Sequence, residues 1–439
     1  MFKYISLILS FTFILIRTAA ADTYDLEQFL SLVRDNSKQL QLAVKDKELA
    51  KVNKRQAIST ALPKVALQAD YTRNLTDFYM YADLGELFGE GDDGAVKFKV
   101  NRNNEYSANI ALQQTLFSPS VGNAIKAARQ YQKLTDLAYE ANEQGVISAA
   151  KMMFYQTLLL EKFWDISRSA EENAKENYDN MSLKFDNGVI SEFELLQAEV
   201  RWKNAIPETA KARRNYEMAL NNLKNLAGIP VDTAIDLAGN FDSYPKLPEK
   251  RMPFDSILRQ RPDFNALLWE EKLRSTNLSA KKSAFLPTLT GSFVYAYSAQ
   301  SDYWKLEQDN GLFMAGVNLS IPIFTGGYLS SEVQRARIEL NKTQVSIDTN
   351  REQIYNEVSN IYLQLKEAHQ RIASAEATLN AAKKAFQIAE TTAQNGLATQ
   401  LQLKDARVGF DQATMNYYAA IFDYLNATFQ WERVTGRVD

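Results

Sequence analysis

The stretch "DNGVISEFELLQAEV", Asp186 to Val200, returns later as "QNGLATQLQLKDARV", Gln394 to Val408. Gly accepts a left-handed backbone without a Cβ clash, so Asn187-Gly188 and Asn395-Gly396 read as helix stops. Three residues after each Gly, Ser191 and Thr399 occupy N-cap positions. Glu194 and Gln402 follow at the third position and complete a capping box in both copies. Each copy is expected to be a helix, a tight turn and a returning antiparallel helix. One copy alone is an ordinary helical hairpin. Two matching copies predict a duplicated architecture.

The flanking helices show how they pack. Around the second turn, apolar residues fall at Ile354, Val358, Ile361, Leu365, Ala368, Ile372, Ala375, Leu379, Ala382, Phe386, Ala389 and Ala393. Steps of four and three alternate without a break, which is a coiled-coil heptad. The many Ala let the helices approach closely. The first copy keeps the register more loosely through Ala150, Met153, Leu160, Trp164, Ala174, Tyr178, Met181 and Phe185. Thr157, Ser167 and Glu171 interrupt it. A helix from about Ser120 to about Phe185 would be roughly 100 Å long at 1.5 Å per residue. Pro207 lies inside the returning helix and predicts a kink or break.

Four segments alternate with period two. Val65, Leu67, Ala69 and Tyr71 oppose Ala66, Gln68, Asp70 and Thr72, and Tyr106, Ala108, Ile110 and Leu112 oppose Ser107, Asn109, Ala111 and Gln113. Leu289, Gly291, Phe293, Tyr295 and Tyr297 oppose Thr288, Thr290, Ser292 and Ser298, and Phe313 to Ile321 alternates likewise. Segments of about ten residues with one apolar face fit transmembrane strands, and equally a soluble sandwich with one wet face. If they span a membrane, four strands are too few to close a barrel, and open edges are not tolerated in lipid. The chain would then have to oligomerise.

The 439 residues are 46% hydrophobic and 23% charged, an ordinary balance for an ordered protein. Residues 1–21 read as a signal peptide: Lys3, an apolar run through Ile16, then Ala19-Ala20-Ala21. A formal net charge of −3 gives no electrostatic case for nucleic acid. With no Cys in the sequence, the chain is expected to be held by packing and to lack a lipid on an N-terminal Cys. The sequence also repeats outside the turns. "ALPKVALQADY" (61–71) resembles "FLPTLTGSFVY" (285–295), and "LFSPSVGNAIKAAR" (116–129) resembles "IFTGGYLSSEVQRAR" (323–337). "NLAGIP" (225–230) aligns with "RVTGRV" (433–438). The expected organisation is a first structural repeat over 22–238, a Pro-rich linker over 239–253 and a second repeat over 254–439. Each repeat runs helix, strand, loop, strand and helical hairpin.

With Leu286-Pro287, "IPIFTGGYLSSEVQRAR" (321–337) and the doubled NG turn in place, the chain resembles the TolC-type outer-membrane efflux channels. The resemblance runs from about Tyr24 to Gly436. It implies a mainly α fold with transmembrane β-strands: two repeats, each with two strands and long coiled-coil helices. Three copies then form a 12-stranded outer-membrane β-barrel, continued by a periplasmic α-helical barrel. It further implies a passive exit channel of a tripartite efflux or type I secretion system, in contact with outer-membrane lipid. A periplasmic adaptor (membrane fusion) protein and an inner-membrane pump would be its partners. By the same resemblance, Asn187, Gly188 and Ser191 with Asn395, Gly396 and Thr399 form the tip where the adaptor docks. Asp405, Gln402, Glu194 and Gln197 are the candidate gate residues; Asp405 would give a ring of three carboxylates, which favours cations.

Other features point elsewhere or nowhere. His369 is the only His, and no Cys exists beside it for a metal site, so it is expected at the surface. "GEGDDG" (89–94) gathers acids without calcium-loop spacing. No Gly-rich nucleotide loop or nucleophile–base pair is found, so neither catalytic residues nor a cofactor are expected. The rival reading is a pore-less periplasmic coiled-coil scaffold or holdase. It accounts for the heptads and leaves four alternating strands unexplained.

Overall fold

The computed structural model describes residues 22–83, 95–248, 252–395, 397 and 399–438. The signal segment 1–21, the acidic loop 89–94, Gly396 and residues 249–251 of the linker lie outside the described residues. The elements in order are β1 (Asp22–Tyr24), α1 (Leu26–Asn36), α2 (Lys38–Ser59), β2 (Lys64–Arg73), β3 (Tyr79–Asp83), β4 (Ala95–Lys99) and β5 (Asn104–Phe117). They continue with α3 (Pro119–Asp186), α4 (Glu192–Ala227), β6 (Ile235–Leu237), α5 (Phe254–Gln260), α6 (Pro262–Ser283), β7 (Thr288–Ser301), β8 (Asn310–Ser320), α7 (Tyr328–Gln394) and α8 (Gln400–Thr435). They form two compact units. One holds residues up to Val44, 138–263 and from 351 onward; the other holds 45–137 and 264–350.

The second unit contains a four-stranded antiparallel sheet in the order β2-β5-β7-β8. Its register puts the apolar residues of all four strands side by side. Leu67 faces Ile110, Ile110 faces Tyr295, and Tyr295 faces Phe313. One row over, Val65, Leu112, Phe293 and Ala315 align in the same way. The opposite face collects Gln68, Asn109 and Ala296 in one row, and Ser107 with Ser298 in another. Two glycines on the apolar face are roofed: Leu116 lies over Gly291 and the Tyr295 hydroxyl over Gly311. Strands β2 and β8 are the open edges. A short hairpin, β3 with β4, extends the β2–β5 pair and was not expected from sequence.

In the first unit, α1 buries Phe29, Leu30 and Val33, with Phe29 against Phe154 at 5.7 Å. Helices α4 and α8 end alike. Gly228 and Gly436 adopt left-handed backbones, and each helix closes with the paired bonds of a Schellman motif: Ile229 N–H to Lys224 O, and Arg437 N–H to Glu432 O. Each Gly is also pressed against backbone: a Cβ at Gly228 would meet the Asn36 carbonyl oxygen at 2.9 Å, and one at Gly436 the Gln260 oxygen at 2.6 Å. The described part of the linker is a docked strap. Phe241 is buried between Tyr155 and Tyr418, and the Tyr424 hydroxyl donates to Pro245 O at 2.8 Å.

Three expectations need correction. Helix α4 continues through Pro207 as one helix, so the break does not occur. The Pro lies on an exposed side, where water can satisfy the carbonyl that loses its donor. Thr209 also ties this level to α3 by donating to Ser167 O at 3.1 Å. Thr157 does not interrupt the stripe. It is fully buried, because its hydroxyl donates to Met153 O at 2.8 Å and so brings no unsatisfied group. His369 is half-buried with its ring edge on Tyr424, centroids 5.2 Å apart.

Candidate functional site

The two helical tips are built by the same local bonds. At the first, Gly188 has φ 70°, its N–H donates to Phe185 O at 2.8 Å, and Val189 N–H donates to Lys184 O at 2.9 Å. The Asn187 side chain donates to Leu183 O at 2.7 Å. At the second, Leu397 N–H donates to Thr392 O at 2.9 Å and the Asn395 side chain to Thr391 O at 2.8 Å. Asn and the turn together therefore satisfy carbonyls left open at the helix end.

The returning helices begin with the expected capping boxes. Glu194 N–H donates to Ser191 Oγ at 3.4 Å, and Ser191 N–H donates to Glu194 Oε2 at 2.9 Å. Gln402 N–H donates to Thr399 Oγ1 at 3.2 Å, and Thr399 N–H to Gln402 Oε1 at 2.9 Å. The Ser191 backbone N–H, and then its hydroxyl, hold the Glu194 carboxyl below the usual glutamate range. Of the candidate gate residues, Glu194 and Gln402 thus spend side-chain oxygens on their own helix starts. Gln197 and Asp405 occupy equivalent exposed positions further along α4 and α8. Among the described residues, no hydrogen bond joins the gate residues of one hairpin to those of the other.

Sequence reading missed a cleft of about 570 Å³ between the hairpins. Asn173, Asn177, Asn180 and Asn204 give it an amide lining. Arg407 on α8 crosses beside it: Nε donates to Asp411 at 3.1 Å, and NH2 to Ser169 Oγ on α3 at 3.2 Å. Its guanidinium lies 5.2 Å from the Phe386 ring, which stacks on Phe410. Burial pushes the Asp411 carboxyl up, against the pull of Arg407. The Arg407–Asp411 spacing was a visible i,i+4 pair; the contact with Ser169 had no local signal.

The sheet offers a second kind of site. Its apolar face is open: Val65, Leu67, Phe313 and Val317 are each about two-thirds exposed in the single chain (66, 70, 69 and 69%). An apolar face of this extent marks a surface that meets lipid or protein. Tyr71 and Tyr106 pair at 5.2 Å near the β5 start, and Phe117 and Phe324 are exposed at the other strand ends. No helix among the described residues is long and apolar enough to cross a membrane. Among them, too, no group of three or more His, Cys, Asp or Glu is placed to hold a metal ion.

Comparison with known proteins bears on both sites. The family model described as "Outer membrane efflux protein" matches residues 29–229 and 254–437. The chain is 22% identical to the alkaline protease secretion protein AprF of Pseudomonas aeruginosa, over 92% of this chain and 82% of that one. It is 20% identical to the outer membrane protein TolC of Escherichia coli, over 90% and 80%. Among solved structures, the CmeC outer membrane channel of Campylobacter jejuni superposes with a TM-score of 0.78 at 21% identity, covering 94% of this chain and 85% of that chain.

Proposed function

The chain belongs to the outer membrane efflux protein family, and from that premise we propose that three copies form a passive exit duct opened by a periplasmic adaptor and an inner-membrane pump. The protein is an outer-membrane efflux channel protein that extends into the periplasm. The observation that carries the trimeric reading is the sheet, with an open apolar face and two unpaired edges. In lipid such edges must find strands, and a ring of copies supplies them. The chain is read as two repeats, 22–238 and 254–439, joined by 239–253. The two separate stretches of the family match and the matching ends at Gly228 and Gly436 support that division.

The tips at Asn187, Gly188 and Ser191, and at Asn395, Gly396 and Thr399, are proposed to receive the adaptor. Asp405, exposed and outside its capping box, is the favoured gate carboxylate; Gln197 holds the equivalent place in the first hairpin. Glu194 and Gln402 contribute mainly by fixing the helix starts. The relatives include one named for protease secretion and one named for antibiotic efflux, so the duct suits polypeptides as well as small solutes.

Native mass measurement and planar-bilayer recording test the reading together. A trimer that conducts supports it; a water-soluble monomer after export sinks it. Within a conducting trimer, Asp405→Ala is expected to weaken block by multivalent cations added from the tip side. Unchanged block removes Asp405 from the constriction.

A further inference from the structure

The connection between β7 and β8 takes an indirect route. Instead of turning tightly, it leans back over β5. The Tyr303 carbonyl accepts from Asn104 Nδ2 at 3.0 Å, and the Asp302 carboxylate accepts from Arg102 NH1 at 2.8 Å and from the Asn103 N–H at 3.1 Å. Trp304 then stacks on Tyr71 of β2, centroids 5.2 Å apart and planes 30° apart. In the sheet order, β2 is separated from β7 by β5. A residue of the β7–β8 connection therefore rests on the far edge strand.

We propose that segment 302–309 is an intersubunit clasp: it carries Trp304 to the unpaired edge of β2, where a second copy of this chain buries it. The proposal rests on the oligomeric reading above.

Asn104 holds the clasp in place. It is fully buried and makes every bond its amide allows. Its two N–H donate to Ser301 O (3.1 Å) and Tyr303 O (3.0 Å), while Oδ1 accepts from Tyr71 Oη (2.9 Å) and Arg73 NH1 (2.8 Å). A network satisfied in this way fixes the strap before any partner arrives. Trp304 nevertheless stays 74% exposed, beside Tyr303 at 71% and Leu306 at 60%. Elsewhere on the apolar face the sheet covers its own gaps, as Leu116 and Tyr295 do over the glycines.

The strand directions identify the occupant. Because all three pairings are antiparallel, β2 and β8 run in opposite senses. A second copy can set its β8 beside β2 and continue the sheet antiparallel. The start of that β8 would then meet the end of β2, bringing exposed Phe313, on the same face as Tyr71, towards the level of Trp304. A rigidly held aromatic at such a seam has the properties of an interface hot spot.

The chain lacks Cys, so Trp304→Cys places a single thiol in the full-length protein. In outer-membrane vesicles, a charged maleimide and a membrane-permeant maleimide are both expected to label it on the order of tenfold slower in the oligomer than after heat dissociation. Rapid labelling by the permeant reagent alone would mean that the side chain faces lipid, and rapid labelling by the charged one that it faces water; either overturns the clasp. Should that variant fail to assemble, Trp304→Ala and Trp304→Phe give a second reading. Dissociation of the detergent-solubilised oligomer should be roughly tenfold faster with Ala and less affected with Phe. An oligomer indifferent to both overturns the clasp while leaving the channel intact. A monomeric wild-type protein would instead overturn the channel reading itself.

Discussion

The hairpin of α3 with α4 and the hairpin of α7 with α8 share their ends and differ in their seams. Both tips carry an Asn bonded to the carbonyl four residues back and a capping box. The first seam is aromatic: Trp164 stacks on Tyr216 at 5.6 Å and Tyr178 on Trp202 at 5.3 Å. Arg168 and Arg213 both lie over Trp164, and Lys203 over Trp202. The second carries a continuous buried stripe, Ile354, Val358, Ile361, Leu365, Ala368 and Ile372, beside aromatic pairs of its own: Tyr362 with Trp431, His369 with Tyr424 and Phe386 stacked on Phe410. A tip depends on a few consecutive backbone groups, so duplication can preserve it residue by residue. A seam depends only on volume filled between helices, so different residues, stacked indoles in one hairpin and an aliphatic stripe in the other, serve one geometry.

The sharpest way to break this contrast is to hollow out each seam. Leu365→Ala, at a fully buried position, is expected to cost about 2–5 kcal/mol, read as a lowered denaturation midpoint. Trp164→Ala should cost less, about 1–3 kcal/mol, since its ring is half-exposed and loses mainly stacking and cation contacts. Equal losses would show that the seams do not differ in how they hold the hairpins.

The shared ends are tested by Gly228→Ala and Gly436→Ala. Each adds a left-handed Ala and a Cβ pressed on a neighbouring carbonyl, so each should cost more than about 1 kcal/mol. Gly188→Ala, with nothing within 4 Å of its new Cβ, should cost only the backbone term of about 1–2 kcal/mol. A loss confined to one of the first two variants would end the equivalence of the repeats.

Pro207→Ala addresses the one helix interior that the second hairpin does not share. Restoring the missing hydrogen bond should raise the melting temperature of the first hairpin, by an amount equivalent to about 1 kcal/mol and bounded by the roughly 3 kcal/mol helix penalty of Pro. A melting temperature that does not move would mean that α4 is already strain-free there.

The smallest difference lies between the capping residues. The Glu194 pKa is lowered, so its contribution is present above the usual glutamate value of about 4.3 and is lost as pH falls through the depressed value. Gln402 cannot titrate. Glu194→Gln should therefore flatten the acid limb of tip stability, measured by hydrogen exchange at the first turn. A persisting acid limb would assign it to another group.

Much of this architecture was legible beforehand, and the reason differs by feature. The capping boxes, the heptad from Ile354 to Ile372 and the alternation in four strands were read correctly, because each is a relation among residues a few positions apart. Pro207 misled because helix propensity is a local prior that exposure and packing override. Thr157 misled because a polar residue was counted without its back-bond to Met153. The partners of Arg407 beyond Asp411 were invisible, since Ser169 belongs to a different hairpin.

By itself, then, the sequence determined where helices stop, which period each segment follows and that the plan is duplicated, since backbone capping and side-chain spacing act over single turns. Only the tertiary structure decided which strands become open edges and how the Pro-rich link docks under Tyr424. It also decided that Asn104 anchors a strap carrying Trp304 to β2. Those outcomes depend on burying and bonding groups far apart in the chain, and no short-range pattern encodes which distant partner a satisfied amide will find.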